Sequence, residues 1–432
     1  CLFIAMNVME HWEMNAASLG DEQVQFVLDT LAKNPKVRHT FVLLHMPIWR
    51  EPRPDWQKIE QALSTRPHTV IAGHTHTMSY EKRNNGTYMV VSVTRGMAPN
   101  WSNEGIRELG QFAVYTWITV DGDDVSIAHV EPGSAMWPAD VAPRSFQEGF
   151  MSLLRIDGIR PKTLDGNKIQ TGFAADMNNQ LPKPVEIRFD VALADGSWQA
   201  MSEMPKTITL SPGDQQRVEC LFVTSPTKVV PAPRLRAVLR YDGKPLRALE
   251  QNFPLFPNND LRPIPQWQVV GPFGAGKLET NVPERPQEAF PLLFTEREPE
   301  KGYNPDAVYT ENGTELKWHP VDTQDGFLHL MHLMETPDNV LAYAMCGINS
   351  PTEKTYYAQF RADDFARIAV NGTWLENNRL FRTRGDATYV ALPLRAGWNT
   401  VLVMCANVGG GWSFRMLAAD PDSELSFASH PE

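Results

Sequence analysis

Two stretches decide how this chain is read: Phe41-Val42-Leu43-Leu44-His45-Met46-Pro47, and further on Thr69-Val70-Ile71-Ala72-Gly73-His74-Thr75-His76. Each opens as a continuous apolar run rather than an alternating one, the pattern of a strand in a sheet covered on both faces. Each then ends in histidine. Pro47 stops simple continuation of the first strand, and Gly73 is expected to permit a sharp exit from the second. Sites in open α/β sheets gather outside the carboxyl ends of strands, and neutral imidazole is a common ligand for zinc, iron or manganese. One histidine in such a place reads equally as a polar strand terminus. Three of them, His45, His74 and His76, at the same expected edge point to metal binding.

The flanks supply the rest of an α/β unit. Cys1–Val8 reads as a buried strand. Val24, Val27, Leu28 and Leu31 recur at helical spacing behind the acidic start Asp21-Glu22, which predicts an amphipathic helix over 22–31. Residues 55–63 predict a second helix. Strands without intervening helices follow at Tyr88–Val93, Phe112–Val120 and Val125–Val130, the last two joined by Asp121-Gly122-Asp123. A block over 1–135 therefore runs from strand–helix alternation to an antiparallel finish.

Leu44-His45-Met46-Pro47 followed by Gly73-His74-Thr75-His76 resembles the last two motifs of the calcineurin-like metallophosphoesterases. That resemblance implies α/β plus all-β architecture: part of a four-layer αββα sandwich, with β-domains after it. It implies two divalent or trivalent ions (Mn, Zn or Fe), His45 and His74 binding the second and His76 the first, and metal-dependent hydrolysis of a small-molecule phosphoester. Trp49, Arg50 and Tyr80 are the candidate substrate-binding residues, with Asn100-Trp101 on a nearby loop; surface roles without a ligand are the alternative. The family's earlier motifs, Asp-x-His, Gly-Asp-x-x-Asp and Gly-Asn-His-Asp/Glu, do not occur before His45. The expectation is a truncated, inactive fragment lacking the bridging carboxylate.

Proline-rich stretches at Glu131–Pro143 and Pro254–Pro265 read as boundaries. Between them, 150–257 carries short strands (Val185–Leu193, Lys206–Leu210, Gln216–Val223, Leu235–Tyr241) with turn signals between, the pattern of an immunoglobulin-like β-sandwich. The block 262–425 predicts a jelly roll. Its Trp267–Phe273, Phe360–Asp364 and Val370-Asn371-Gly372 resemble a galactose-binding-like β-sandwich, in which the Asp363-Asp364 pair orients a loop or binds calcium; turn capping is the preferred reading of the pair. Gly271–Lys277 imitates a phosphate-binding loop, but Pro272 removes a cradling N–H and Leu278 stands where a hydroxyl is needed. His329 and His332 read as strand polar positions, and Asn85-Gly86, Asn312-Gly313 and Asn371-Gly372 as hairpin turns rather than glycosylation acceptors.

Composition sets the limits. The 432 residues carry 40 Lys plus Arg against 51 Asp plus Glu, a net charge of −11, which argues against nucleic acid as a partner. No apolar run is long enough to span a bilayer. Four widely spaced cysteines form neither a disulfide framework nor a zinc knuckle and read as small apolar residues. Tandem β-modules after a hydrolase unit suggest an extracellular or periplasmic setting. The competing functional reading is a non-catalytic carbohydrate-binding or adhesion protein that keeps the phosphoesterase remnant as a scaffold.

Overall fold

In the computed structural model, strand–helix alternation at the start of the chain closes into one five-stranded sheet. The structure describes residues 1–8, 19–91, 105–164, 168–192, 196–201, 203, 207–334, 338–382 and 386–430. β1 (Leu2–Ala5), β2 (Thr40–Leu43), β3 (His68–Ala72), β4 (Ser79–Arg83) and β5 (Gly86–Val90) stand in the order β1-β2-β3-β5-β4. All neighbours are parallel except the β4–β5 hairpin, whose turn residues Asn84 and Asn85 both take positive φ, as a tight twist-matched turn requires. Helices α1 (Gly20–Lys33) and α2 (Pro54–Leu63) cover one face. Val24, Val27 and Leu31 from α1, with Trp56, Ile59 and Leu63 from α2, pack on Ile4, Val42, Val70 and Tyr88. α1 has Asp21 and Glu22 in its first turn and Lys33 in its last, complementing the helix dipole, and α2 starts on Pro54.

Burial on both faces, expected from the apolar runs, holds only in part. On the face away from the helices Phe41 is buried, but Phe3 is 64 % and Leu43 37 % exposed. Phe3 stacks on Phe41 with ring centroids 4.9 Å apart, sheltering one ring at the expense of the other.

The stretch read as a linker at Glu131–Pro143 is built into the fold. β6 (Tyr115–Asp121), β7 (Asp124–Val130) and β8 (Met136–Pro138) form a three-stranded sheet. Arg107 binds both oxygens of Glu131, at 2.8 and 3.2 Å, and Trp137 donates to the same carboxylate at 2.9 Å. A short helix, α3 (Arg144–Met151), follows.

Residues 154–252 fold as a sandwich. One sheet is β12-β14-β10-β9 and the other β13-β11-β15-β16, with β9 (Leu154–Leu164), β10 (Lys168–Asn178), β11 (Val185–Ala192), β12 (Gln199–Ala200), β13 (Ile208–Leu210), β14 (Gln215–Thr224), β15 (Arg234–Tyr241) and β16 (Lys244–Asn252). Both sheets contribute to one core around Phe173, Phe189, Phe222 and Phe253. The proline-rich stretch after β16 is packed rather than free. Gly158 of β9 leaves room for Phe256, whose backbone would lie 2.4 Å from any Cβ there. Arg160 grips Asp260 through two bonds of 2.7 and 2.8 Å.

The last block is also β-rich, and its main sheet is buried on both faces. Along Val340–Ser350, Val340, Ala342, Ala344, Cys346 and Ile348 enter one core, while Leu341, Tyr343 and Met345 enter another. Gly397–Asn407 divides in the same way, Val401, Val403 and Cys405 against Leu402, Met404 and Ala406. This is the period-2 alternation of a strand with an apolar layer on each side. Gly271 lies inside the strand Gln266–Gly274, with Val270 opposite Tyr343 and Phe273 opposite Leu341, so the first four residues of the imitation phosphate loop belong to a strand. Asn312-Gly313 and Asn371-Gly372 form hairpin turns, whereas the β4–β5 turn is Asn84-Asn85 and Gly86 is the first residue of β5, paired with Arg83. Cys220, Cys346 and Cys405 are buried free thiols whose ionisation burial pushes upward.

Two outcomes follow. Val403→Ala and Met404→Ala, adjacent but on opposite faces, should each cost about 2–4 kcal/mol in denaturant unfolding; a solvent-facing outer side would leave the Met404 change within about 0.5 kcal/mol. Burial lowers the pKa of His39, His68 and His129 below the ordinary value near 6.5. The unfolded chain therefore takes up protons first. Stability from these rings is complete above about pH 6.5 and is lost as pH falls through the folded-state values. The urea midpoint should drop between pH 7 and pH 5, and a flat profile would count against the burial argument.

Candidate functional site

The three histidines sit where the strands end. Backbone pairing continues beyond the strands themselves: Leu44 N–H donates to Ile71 at 3.0 Å and Gly73 N–H to the His45 carbonyl at 2.9 Å. The two exits are thereby held side by side. His74 Nδ1 and His45 Nε2 come within 3.2 Å, with the rings 5.1 Å apart and nearly perpendicular. His76 is near enough to act on His74 electrostatically.

The sharp exit lies on the histidines rather than on the glycine. His74 has φ 70° and His76 φ 52°, both left-handed, whereas Gly73 does not take a positive φ. A Cβ on Gly73 would meet only the His45 carbonyl, at an ordinary 3.7 Å. Left-handed backbone costs a bulky residue roughly 1–2 kcal/mol, and such strain collects at functional sites when surrounding structure holds it in place. Desolvation, then the neighbouring rings of His45 and His76, lower the pKa of His74. That shift favours the neutral ring, the form that ligates metal.

The 3.2 Å separation suits two ligands of one ion. Nitrogens about 2.1 Å from a shared metal, at roughly 100° to each other, stand about 3.2 Å apart. The fit stops there. Among the described residues no group of three or more His, Cys, Asp or Glu is placed to hold an ion. The dinuclear centre implied by the motifs, with its bridging carboxylate, does not fit the described residues.

Trp49, Arg50 and Tyr80 do come together, along a cleft of about 880 Å³ that none of the three histidines lines. Trp49 is not available to grip a ligand. It is 3 % exposed, its indole N–H donates to Glu81 at 2.7 Å, its carbonyl accepts from Arg83 at 2.6 Å, and its ring packs edge-on against Tyr88. Arg50 donates to the Ser79 hydroxyl at 2.5 Å. Sequence reading did not find Glu81 or Arg144, which lines the same cleft from α3 and pairs with Glu81 at 3.4 Å and Glu148 at 2.6 Å. No motif marks either residue, and Arg144 follows directly on a stretch read as linker. Asn100-Trp101 lies outside the described residues.

No family model and no curated protein matches the chain. Solved structures similar to parts of it include an anti-sigma factor domain-containing protein from Clostridium clariflavum, at 11 % identity over 64 % of this chain and 89 % of that one, TM-score 0.22. A GH31 alpha-xylosidase from Xanthomonas citri is 12 % identical over 72 % of this chain and 31 % of its own, TM-score 0.22. A FixG-related protein from Vibrio parahaemolyticus is 19 % identical over 22 % of this chain and 89 % of its own, TM-score 0.17. Overlaps this weak do not define a shared fold.

Because the turn strain sits on His74 and His76, Gly73→Ala should change unfolding free energy by no more than about 1 kcal/mol. A loss of about 2 kcal/mol or more in the same measurement would mean that Gly73 itself carries the turn.

Proposed function

We propose that residues 1–135 are the carboxyl half of a calcineurin-like metallophosphoesterase unit, and that its His45–His74 corner takes one divalent ion. The supporting observation is the 3.2 Å approach of two ring nitrogens at the carboxyl ends of neighbouring parallel strands. In this reading His76 lies close by as a third imidazole. Phosphoester hydrolysis requires acidic donors brought to this corner from outside the described residues, and the chain by itself does not turn over phosphoesters. When bound, an ion here would act as a Lewis acid on phosphoryl oxygen. The chain's own part is to present two imidazoles from a fixed backbone. The two following sandwiches are read, on the same footing, as an immunoglobulin-like module and a galactose-binding-like jelly roll, an architecture that suits an extracellular or periplasmic setting.

Titration calorimetry of the 432-residue chain with zinc or manganese tests this. The expected result is one ion per chain, at least about tenfold weaker in His45→Ala or His74→Ala, with no turnover of p-nitrophenyl phosphate. Absence of ion uptake, or uptake indifferent to both substitutions, would overturn the corner. Two ions with turnover would overturn the reading of an incomplete site.

A further inference from the structure

We propose that the 880 Å³ cleft between β4, α2 and α3 is a second site, separate from the histidine corner, and binds a small organic oxyanion seated on Arg50 and Arg144. Most charges along its walls are already committed to one another. Glu60 pairs with Arg83 at 3.4 Å and Glu51 with Arg53 at 3.2 Å. Glu81 accepts from Trp49 and pairs with Arg144, and Glu148 closes on the other side of Arg144. Arg50 is different. Among the described residues it forms no ion pair; a neutral hydroxyl, Ser79, takes one Nη, and its Nε is buried without an acceptor.

A half-buried guanidinium without a counter-charge is costly, and more so with a second guanidinium near it. Desolvation first, and then Arg144, weaken the hold of Arg50 on its proton, while Glu81 and Glu148 partly offset them. An oxyanion relieves both: one oxygen on the Nη edge of Arg50, whose Nε is shielded from the cleft, and another toward Arg144, the planar geometry in which arginine outperforms lysine. Lys82 and Asp140, also on the wall, oppose each other in sign. The lining as a whole is close to balanced, so long-range attraction is small and recognition depends on the local fork. Affinity should accordingly be modest and only weakly dependent on salt. The volume falls within the range of small-molecule sites, and Tyr80, Pro52 and Pro143 give the bound molecule's organic part an apolar wall.

The test is calorimetric titration of the full chain, freed of metal on a chelating resin and kept in metal-free buffer so that the histidine corner contributes nothing, with phenyl phosphate, benzoate and inorganic phosphate as probes. Saturable binding of phenyl phosphate or benzoate is expected, weaker by about tenfold or more in Arg50→Gln, as loss of a charge-assisted bond implies. The stronger of the two ligands identifies the headgroup, and weaker inorganic phosphate shows that the organic part contributes. Arg50→Lys keeps the charge and removes the fork, so it should bind between wild type and Arg50→Gln; it also serves if Arg50→Gln fails to fold. Overturning results are no saturable binding of either organic probe, or binding unchanged in the folded Arg50 variants. Neither bears on metal uptake at His45 and His74, so the two claims fail separately.

Discussion

The bond from Gly73 N–H to the His45 carbonyl, 2.9 Å long, holds this site together. It continues the β2–β3 register past the end of regular pairing, so two loops that would otherwise diverge leave the sheet in parallel. The meeting of His45 and His74 follows, as does the placement of left-handed strain on His74 and His76. The 3₁₀ turn at Ile48–Arg50 is the next consequence. It carries Arg50 to Ser79 at the start of β4 and lays the Trp49 ring on Tyr88. The same strand exit thus leads into both the imidazole corner and one wall of the cleft.

The opposite wall is fixed from α3. Gln147 donates to the Met78 carbonyl at 2.6 Å, and Tyr80 N–H donates to Ala142 at 2.9 Å. The α/β unit and the start of the sandwich thus meet along β4. Further along the chain, cohesion has another origin. The last block puts apolar side chains on both faces of one sheet, and the junction before it is tied by Arg160 on Asp260 and by Phe256 between Tyr357 and Tyr389.

What the sequence revealed followed the strength of its periodic signals. α1 and α2 were legible because their apolar residues recur at helical spacing, and the hairpins because Asn-Gly marks them. β4 was not, since Ser79-Tyr80-Glu81-Lys82-Arg83 has no apolar pattern and is held by pairing with β5 and by side-chain contacts from distant segments. α3 was hidden by its brevity and by Pro143 before it. β9 and β10 were missed because Gly158, Pro161 and Gly172 interrupt them, and those positions serve close backbone approach or tolerate a lost donor. Of the site, the three histidines and Arg50 could be named from strand ends and loops. The committed state of Trp49 could not, because its partner Glu81 lies on the strand the sequence concealed.

The claim that strand register delivers two imidazoles to a single point is tested most directly by pulsed electron paramagnetic resonance of the chain loaded with one equivalent of copper(II). The account predicts coupling to two imidazoles at one ion, falling to one in His74→Ala. Copper coupled to no imidazole, or a spectrum identical in wild type and variant, would contradict it.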